Sequence, residues 1–413
     1  MNNYNIQTLP NGLRIIHKPS TAKVIYCGYG INAGTRDELQ GEEGLAHFCE
    51  HGSFKGTSRR KAIDIIRCLE EVGGDLNAYT NKEDTVYHAA ILKDHIAKAV
   101  DLLTDIVFHS TYPETEIAKE TEIICDEIES YNDSPAELIY DEFENQLFSG
   151  HSLGHSILGT AEQLRTYTSD HLRNFAKRYY RPENAIFFAY GDLDFTKLVQ
   201  LIAKATADFP EHDPNTEDAN PDKMEKICNH TPQNRVIDKG THQAHVMIGC
   251  KAYSAHEKKR IGLYLLNNIL GGPGMSARLN LSLRERNGLV YTVESSMVSY
   301  SDTGLWSVYF GCDQHDIERC CKLVRRELNR IMEKPLSAAQ LATAKKQIKG
   351  QIAIACDNRE SYALDFGKSF LHYGWEKDTD RLFAQIDKLT ADDIQLVAKE
   401  IFASEKLSML VIK

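Results

Sequence analysis

Residues 169–192 read SDHLRNFAKRYYRPENAIFFAYGD, a helical pattern with a polar face followed by a run that is almost entirely apolar. The same order returns at the end of the chain, where TADDIQLVAKEIF (390–402) precedes KLSMLVIK (406–413). A helical period that changes into a short apolar run predicts a helix packed on a buried strand. Because this pair occurs twice, we interpret the chain as two copies of one structural unit.

The segments before each pair also repeat in order. In the first half a strand (23–31), a helix (44–54) and a strand pair with a loop (77–92) follow one another, and in the second half a strand (244–250), a helical segment (258–272) and a strand (303–313) do. We therefore predict an α+β fold of two homologous α/β-sandwich units from an internal duplication, each an antiparallel-rich sheet with helices packed on it. The predicted domains are 1–209 and 234–413, joined by a linker at 210–233 that is rich in Pro, Asp and Asn.

The composition is that of a globular protein and shows no positively charged segment that would bind an anionic partner. Of 413 residues, 42% are hydrophobic and 26% are charged, and the formal net charge is −11. An acidic chain with no basic block argues against nucleic acid or an anionic membrane as the main partner. No apolar run approaches the ~20 residues of a membrane-spanning helix, and the start of the chain lacks a secretory pattern. We therefore expect a cytoplasmic protein whose ten cysteines are reduced.

Only the first half carries a pattern with metal chemistry, HFCEH at residues 47–51. On a helix, His47 and His51 lie one turn apart on one face, where two imidazoles can share a zinc ion. Glu50 lies close to the same face and could take a proton from a bound water, as in the HxxEH signature of inverzincins. Cys49 is expected on the far side of the helix and is not a predicted ligand. The competing interpretation is a solvated helix face that binds no metal.

A catalytic zinc site needs a third protein ligand and an open position for water, and the helix predicted over 114–131 offers carboxylates. At 100° per residue, Glu120 and Glu127 fall inside the apolar stripe of that helix, whereas several other acidic residues point away from it. A carboxylate on a buried face is costly unless it is paired or binds a metal. Glu120 and Glu127 are therefore both candidates, and the alternative is two core glutamates held in salt bridges.

A second histidine pair does not resemble a metal site. His151 and His155, in SGHSLGHSILGT, lie among glycines and serines in a predicted loop. No carboxylate at helical spacing accompanies them, so we interpret this pair as structural. The second half has no histidine pair where the first half has HFCEH, which makes the predicted chemistry asymmetric.

Together these residues resemble the pitrilysin/insulysin-type zinc metallopeptidases, and within them the short branch that includes the mitochondrial processing peptidase. The resemblance covers nearly the whole chain. In that family the third zinc ligand follows the second histidine by about 76 residues, which maps it to Glu127. A supporting glutamate seven residues earlier maps to Glu120. SGHSLGHSILGT and YYRPENAIFFAYGD match further landmarks, although Ser152 stands where the family usually has a proline.

The resemblance also implies roles for two other segments. LNAYTNKEDTVYH (76–88) resembles the edge strand that pairs with substrate, and the implied substrate-binding residues are Asn77, Ala78, Tyr79 and Thr80. In LGGPGMSARLNLSLRERNGLVYTV (270–293) the family has an arginine and a tyrosine seven residues apart, which map to Arg284 and Tyr291. In the family both residues face the zinc and take part in catalysis.

The implied function is a zinc-dependent endopeptidase that hydrolyses extended peptides, with Glu50 as general base and one Zn²⁺ per chain. Longer family members contain four such units, so a chain with two is expected to form a homodimer with active sites shared between the chains. One alternative is a non-catalytic peptide-binding or scaffold subunit, in which HxxEH or the third ligand should be broken. Another is an unrelated metal hydrolase, which would make the match in the second half accidental.

Overall fold

The computed structural model describes residues 4–213, 231–374 and 378–413, so most of the predicted linker lies outside the described residues. The strands are β1 (Asn5–Thr8), β2 (Arg14–Pro19), β3 (Val24–Ile31), β4 (Asp75–Thr80), β5 (Thr85–Leu92), β6 (Ala185–Gly191), β7 (Asn234–Ile237), β8 (Ala244–Ala252), β9 (Val290–Ser299), β10 (Gly304–Cys312) and β11 (Ser408–Ile412). The helices are α1 (Leu45–Ser53), α2 (Ala62–Glu70), α3 (Ile96–Phe108), α4 (Glu114–Asn132), α5 (Pro135–Leu147), α6 (Ala161–Leu164), α7 (Ser169–Tyr179), α8 (Phe195–Ala205), α9 (Arg260–Gly271), α10 (Ile317–Glu333), α11 (Ala338–Cys356), α12 (Arg359–Tyr373), α13 (Thr379–Lys388) and α14 (Ala391–Ile401).

The first sheet contains six strands in the order β1-β2-β6-β3-β5-β4. Only β2 and β6 run parallel, and the other neighbouring strands are antiparallel. The strand β6 comes from the apolar run at 184–192 and is buried at nearly every residue. Such burial is expected of a strand that is covered on both faces. The strand β4 lies at one edge of the sheet, where its outer side is open to pairing.

Helices cover both faces of the first sheet. On one face α1, α3, α7 and α8 form a large core that includes Phe187 of β6. On the other face Phe366 and Phe370 of α12 pack against Val86 and Phe188. Successive residues of a strand point to opposite faces, so Phe187 and Phe188 contribute to two different cores.

The second sheet contains five strands in the order β7-β11-β8-β10-β9, with β7 and β11 parallel and the remaining pairs antiparallel. On one face Ile139 and Phe143 of α5 pack against Met247 and Leu410. The helices α9 and α14 also contact strands of this sheet. The order β8-α9-β9-β10-α10-α11 repeats the order in which the first sheet and its helices are built, in agreement with the predicted duplication.

Each of the two compact units contains one helix that comes from the other half of the chain. The described residues of the first unit fall in Met1–Glu129, His155–Lys223 and Ala355–Lys377, and those of the second in Ser130–Gly154, Met224–Ile354 and Asp378–Lys413. The helix α5 thus belongs to the second unit and α12 to the first. The predicted boundaries 1–209 and 234–413 divide the chain along its sequence, and the compact units depart from them at these two helices. Within the described ranges, no helix is both long enough and apolar enough to cross a bilayer.

Candidate metal centre

The helix α1 carries HFCEH inside the first unit. Phe48 and Cys49 point into the core, and the Sγ atom of Cys49 lies 3.5 Å from the carbonyl oxygen of Leu172. Cys49 therefore lies away from the histidine face, as its helical position predicted. His47 is buried, whereas the side chain of His51 is 23% exposed. The histidine face of α1 is thus partly accessible from solvent.

The structure brings His47, His51 and Glu127 together. The Oε2 atom of Glu127, on α4, lies 4.0 Å from Nε2 of His47 and 3.7 Å from Nε2 of His51. One ligand atom from each of the three residues lies within 4.8 Å of those of the other two. Four-coordinate zinc with ligands at about 2.0–2.1 Å requires ligand atoms about 3.3 Å apart. The two distances to Glu127 exceed this spacing by about 0.7 and 0.4 Å, so side-chain rotations that bring the carboxylate closer would let the three residues hold a zinc ion.

Glu120 orients one of the two histidines. Its Oε1 atom lies 2.8 Å from Nδ1 of His51, and its Oε2 atom lies 2.5 Å from Nζ of Lys55. A histidine whose Nδ1–H donates to a carboxylate presents a bare Nε2, the usual arrangement behind a metal ligand. The hydrogen bond to Glu120 thus selects the tautomer of His51 that can bind a metal. The Nδ1 atom of His47 is buried and has no hydrogen-bond partner in the described ranges, so packing alone holds that ring.

The pKa values of the two histidines move in opposite directions. Burial, followed by the neighbouring His51, lowers the pKa of His47 to about 3, so this imidazole is neutral and ready to donate a lone pair. Burial also opposes a charge on His51, but the hydrogen bond to Glu120 and the nearby carboxylates outweigh it and raise the pKa of His51. Protons therefore compete with a metal for His51 more strongly than for His47.

Glu50 is buried beside the histidines and accepts a hydrogen bond from a hydroxyl group. Thr80, the last residue of β4, donates its hydroxyl to Oε2 of Glu50 at 2.5 Å. Burial raises the pKa of Glu50, although this hydrogen bond acts in the opposite direction. A carboxylate with a raised pKa accepts a proton more readily, which suits a general base.

Of the two glutamates predicted on the buried face of the helix over 114–131, Glu120 is buried and Glu127 is not. The side chain of Glu120 is 5% exposed, as predicted for the buried face, but that of Glu127 is 45% exposed. Burial along α4 ends with Cys125, and beyond it Asp126, Glu127 and Glu129 are exposed. Ile128, 100° away around the helix, still packs against the core, so Glu127 lies at the edge of the buried stripe, where helical angle alone does not decide burial.

The remaining predicted site residues lie in two places. In β4, at the edge of the first sheet, Asn77 is exposed, Ala78 is half-buried and the ring of Tyr79 lies 5.7 Å from Nζ of Lys368. In the second unit Arg284 belongs to a π-helical segment, Asn280–Glu285. Its guanidinium lies 5.4 Å from the ring of Tyr291, which is 81% exposed.

Three contacts around this centre were not predicted from the sequence. Lys55 lies two residues beyond the end of α1, so the helical spacing that predicted the histidine pair does not extend to it. The bond from Thr80 to Glu50 joins an edge strand to a helix, and no local spacing predicts such a contact. The third contact is made by His155, which lies 2.8 Å from Glu38, whose carboxylate binds the start of α1.

Family models match both halves of the chain. "Insulinase (Peptidase family M16)" matches residues 14–161, and "Peptidase M16 inactive domain" matches residues 166–348. An uncharacterized zinc protease of Streptomyces coelicolor is 32% identical over 397 residues, which cover 95% of this chain and 86% of the relative. The uncharacterized zinc protease YmxG of Bacillus subtilis is 30% identical over 405 residues, which cover 98% of this chain and 97% of the relative.

Solved structures share the fold. A protease from Helicobacter pylori superposes with a TM-score of 0.92 at 23% sequence identity, covering 99% of both chains. A peptidase M16 inactive domain from Pseudomonas fluorescens gives a TM-score of 0.88 at 18% identity, covering 99% of this chain and 98% of that one. These likenesses confirm the predicted two-unit α+β fold with antiparallel-rich sheets. With two relatives at least 30% identical over almost its whole length, the chain belongs to peptidase family M16, the insulinase family.

Proposed function

We propose that this chain is a zinc-dependent endopeptidase that hydrolyses extended peptides or unfolded polypeptides. The proposal rests on one observation: His47 and His51 of α1 and Glu127 of α4 lie close enough together to hold one metal ion, and the buried carboxylate of Glu50 is also on α1. The name zinc protease, given to the relatives from Streptomyces coelicolor and Bacillus subtilis, supports the same class of activity. The proposed cofactor is one zinc ion per chain.

Each residue of the centre has a distinct role in the proposed reaction. The ligand atoms are Nε2 of His47, Nε2 of His51 and Oε2 of Glu127. Zinc in such a site polarises a carbonyl group and lowers the pKa of a bound water to about 7. Glu50 accepts the proton of the attacking water and returns it to the leaving amine, while Thr80 holds one of its carboxylate oxygens.

The substrate is proposed to add a strand at the edge of the first sheet. The strand β4 has an open outer side, and its four predicted contact residues are Asn77, Ala78, Tyr79 and Thr80. Main-chain pairing at such an edge gives affinity for an extended backbone with little demand on sequence. In the second unit, Tyr291 is proposed to hydrogen-bond the developing oxyanion and Arg284 to hold substrate carbonyls.

The alternative is a non-catalytic peptide-binding or scaffold subunit. It is favoured by one observation, the words "inactive domain" in the family model that matches residues 166–348. That match contains none of the proposed ligands, which all lie in the range of the insulinase model, 14–161. An intact set of ligands together with Glu50 argues for the catalytic proposal.

The first test separates metal binding from proton transfer. Glu50→Gln should retain zinc and lose hydrolysis of a mixed peptide library by about 10²–10⁴-fold, because Glu50 is the proposed base and not a ligand. Glu127→Gln should lose most of the metal. The matched control is Glu129→Gln, an exposed glutamate two residues further along α4, which should retain both metal and activity. Zinc analysis and peptide cleavage with and without a chelator measure both properties.

Two results would contradict these assignments. Loss of zinc from a well-folded Glu50→Gln protein would mean that Glu50 is a ligand. Stoichiometric zinc in Glu127→Gln would move the third ligand elsewhere, with Glu120 as the next candidate. Wild-type protein that holds zinc and cleaves no peptide of the library would favour the scaffold alternative.

We further propose that two chains form a homodimer with shared active sites. Each site would take its metal ligands and Glu50 from one chain, and Arg284 and Tyr291 from the other. A twofold arrangement is the commonest way for identical chains to assemble. The exposure of Tyr291 in the single chain supports a role for this residue outside its own unit.

Complementation between two inactive proteins tests the shared site. One protein carries Glu50→Gln, and the other carries Arg284→Ala together with Tyr291→Phe. After unfolding and co-refolding in equal amounts, half of the dimers are mixed and each has one intact site of two, so about a quarter of wild-type activity should return. Each inactive protein refolded alone is the control. No recovery would mean that every site is built within one chain.

A further inference from the structure

A buried carboxylate lies at the start of the helix that carries the proposed metal ligands. The side chain of Glu38 is completely buried, and its Oε1 and Oε2 atoms accept the backbone N–H groups of Ala46 (2.7 Å) and Gly44 (3.1 Å). The first N–H groups of a helix have no partner within the helix and carry partial positive charge, so an anion here stabilises the first turn. Burial raises the pKa of Glu38 to about 7, although His155 and the two N–H groups favour its charged form.

The histidine of the loop that the sequence analysis classed as structural holds this carboxylate. The Nε2 atom of His155 lies 2.8 Å from Oε2 of Glu38. The backbone of His155 is fixed in turn, because its carbonyl oxygen accepts a hydrogen bond from Lys82 in the turn that follows β4. Hydrogen bonds thus connect the turn after the proposed substrate strand to the loop at His155, and that loop to the start of α1.

Two glycines make the contact between the loop and α1 unusually close. Gly44 has a φ of 88°, and a Cβ atom there would lie 2.7 Å from the carbonyl oxygen of Leu158. Gly159 has a φ of 70°, and a Cβ atom there would lie 2.5 Å from the carbonyl oxygen of Glu43. Only glycine fits both the left-handed conformation and the space at these positions. The loop and the first turn of α1 are therefore closely fitted, with little freedom to move against each other.

We propose that Glu38 is a positioning residue for the metal centre, and that His155 holds it in place. The carboxylate of Glu38 binds the N–H group of Ala46, the residue immediately before His47, and Glu50 follows one turn later. Fixing the first turn of α1 therefore fixes the ring of His47, for which the described residues provide no hydrogen bond of its own. This inference rests on the proposed function, but zinc release tests it without any need for peptidase activity.

Glu38→Gln should release zinc about 10-fold faster than wild type to a chromophoric chelator, at a pH of about 8. A glutamine amide presents one acceptor oxygen where the carboxylate presents two, so the N–H group of either Gly44 or Ala46 loses its partner. The kcat for peptide cleavage should fall by a similar factor, because Glu50 moves with α1. The KM should change less than about twofold, because β4 is untouched.

Three further single variants and one double variant isolate the contact. Glu43→Gln is the matched control, since its carboxylate accepts from Gly41 outside α1, and its zinc release should equal that of wild type. His155→Gln retains an N–H donor and should stay within about twofold of wild type, whereas His155→Leu should accelerate zinc release. Combining His155→Leu with Glu38→Gln should be no faster than Glu38→Gln alone, because both changes break one linkage.

The proposal would be overturned if Glu38→Gln had a lower melting temperature than wild type but, at a temperature where it is fully folded, released zinc at the wild-type rate. Glu38 would then have a purely structural role. If Glu38→Gln does not fold, His155→Leu decides the question, and unchanged zinc release there would overturn it equally. Wild-type protein that holds zinc but cleaves no peptide would refute the proposed function. The comparison of zinc release rates would still decide the role of Glu38.

Discussion

The two histidines of one helical motif are held by different means. His51 is oriented by the carboxylate of Glu120, which is itself paired with Lys55, whereas His47 depends on packing and on the position of its helix. The side chain that is partly open to solvent therefore has a hydrogen-bonded support, and the buried one has none of its own among the described residues. Loss of these supports should weaken the metal centre in distinguishable ways.

At this scale we predict the effect of Glu120→Gln. The variant should bind zinc roughly 10-fold more weakly. The amide oxygen can still accept a hydrogen bond from His51, but it lacks the negative charge that raises the basicity of the His51 ring. The loss should be smaller than in Glu127→Gln, which removes a proposed ligand. Competition with a chelator of known affinity measures both effects.

The control is Glu122→Gln, since Glu122 lies on the exposed side of the same helix and pairs with Arg165. This variant should bind zinc like the wild type. Equal zinc affinity in Glu120→Gln and Glu122→Gln would show that Glu120 does not support the metal centre.

Between elements, the turn that joins β4 to β5 is fastened to α12. The carboxylate of Asp84 lies 2.9 Å from Nε2 of His372 and 3.3 Å from Nζ of Lys368. Asp84 is buried, which by itself would raise its pKa, but His372 and Lys368 outweigh burial and lower the pKa of Asp84 to about 2. A helix from the second half of the chain therefore stabilises the end of the proposed substrate strand.

The depressed pKa of Asp84 predicts a loss of stability in acid. A carboxyl group with a pKa of 3.8 unfolded and about 2 folded contributes roughly 2 kcal/mol to the free energy of unfolding at neutral pH. The contribution is complete above the unfolded pKa and is lost as pH falls through the folded pKa, so about half should be gone near pH 3. Urea unfolding of wild type and Asp84→Asn across this range measures the difference.

The matched control for this prediction is Asp75→Asn, because Asp75 is an exposed aspartate at the start of β4. Its stability should follow that of wild type at every pH. A difference between wild type and Asp84→Asn that stays constant from neutral pH to about pH 3 would contradict the role given to the ion pairs of Asp84.

Over the whole molecule, each unit is completed by a helix from the other half of the chain. The helix α12 covers one face of the first sheet with Phe366 and Phe370, and α5 covers one face of the second sheet with Phe143 and Leu147. Neither half of the chain can therefore bury its own sheet on both faces. The exchange makes the folding of both halves interdependent.

This exchange predicts a crossed pattern of destabilisation. Phe366→Ala should cost roughly 3–5 kcal/mol and increase amide hydrogen exchange most in β3 and β6, although the mutation lies in the second half of the sequence. Phe143→Ala, the matched variant on α5, should increase exchange most in β8 and β11. Hydrogen exchange measured by mass spectrometry resolves the two sheets.

The contrary outcome is equally specific. If Phe366→Ala increased exchange mainly in β8 and β11, or in both sheets to the same extent, α12 would not be the cover of the first sheet. The two variants remove the same side chain, so a difference between them reports location and not residue type.

Much of the architecture followed from local patterns. The apolar run at 184–192 predicted the buried strand β6, and the spacing within HFCEH predicted that His47 and His51 share a face of α1. These inferences succeed because the period of a helix or strand is set by the backbone and is the same in every protein. The repeat of patterns likewise indicated two units, since each copy has its own complete order of elements.

Contacts between distant segments required the tertiary structure. Helical angle predicted that both Glu120 and Glu127 are buried, but Glu127 lies at the edge of the buried stripe of α4 and is exposed, because burial depends on what packs against a helix. The supports of the centre, from Thr80 to Glu50 and from His155 to Glu38, join residues whose separation along the chain has no period. The exchange of α5 and α12 was hidden for the same reason: a sequence shows that a helix has an apolar face, whereas only the folded chain shows which sheet that face covers.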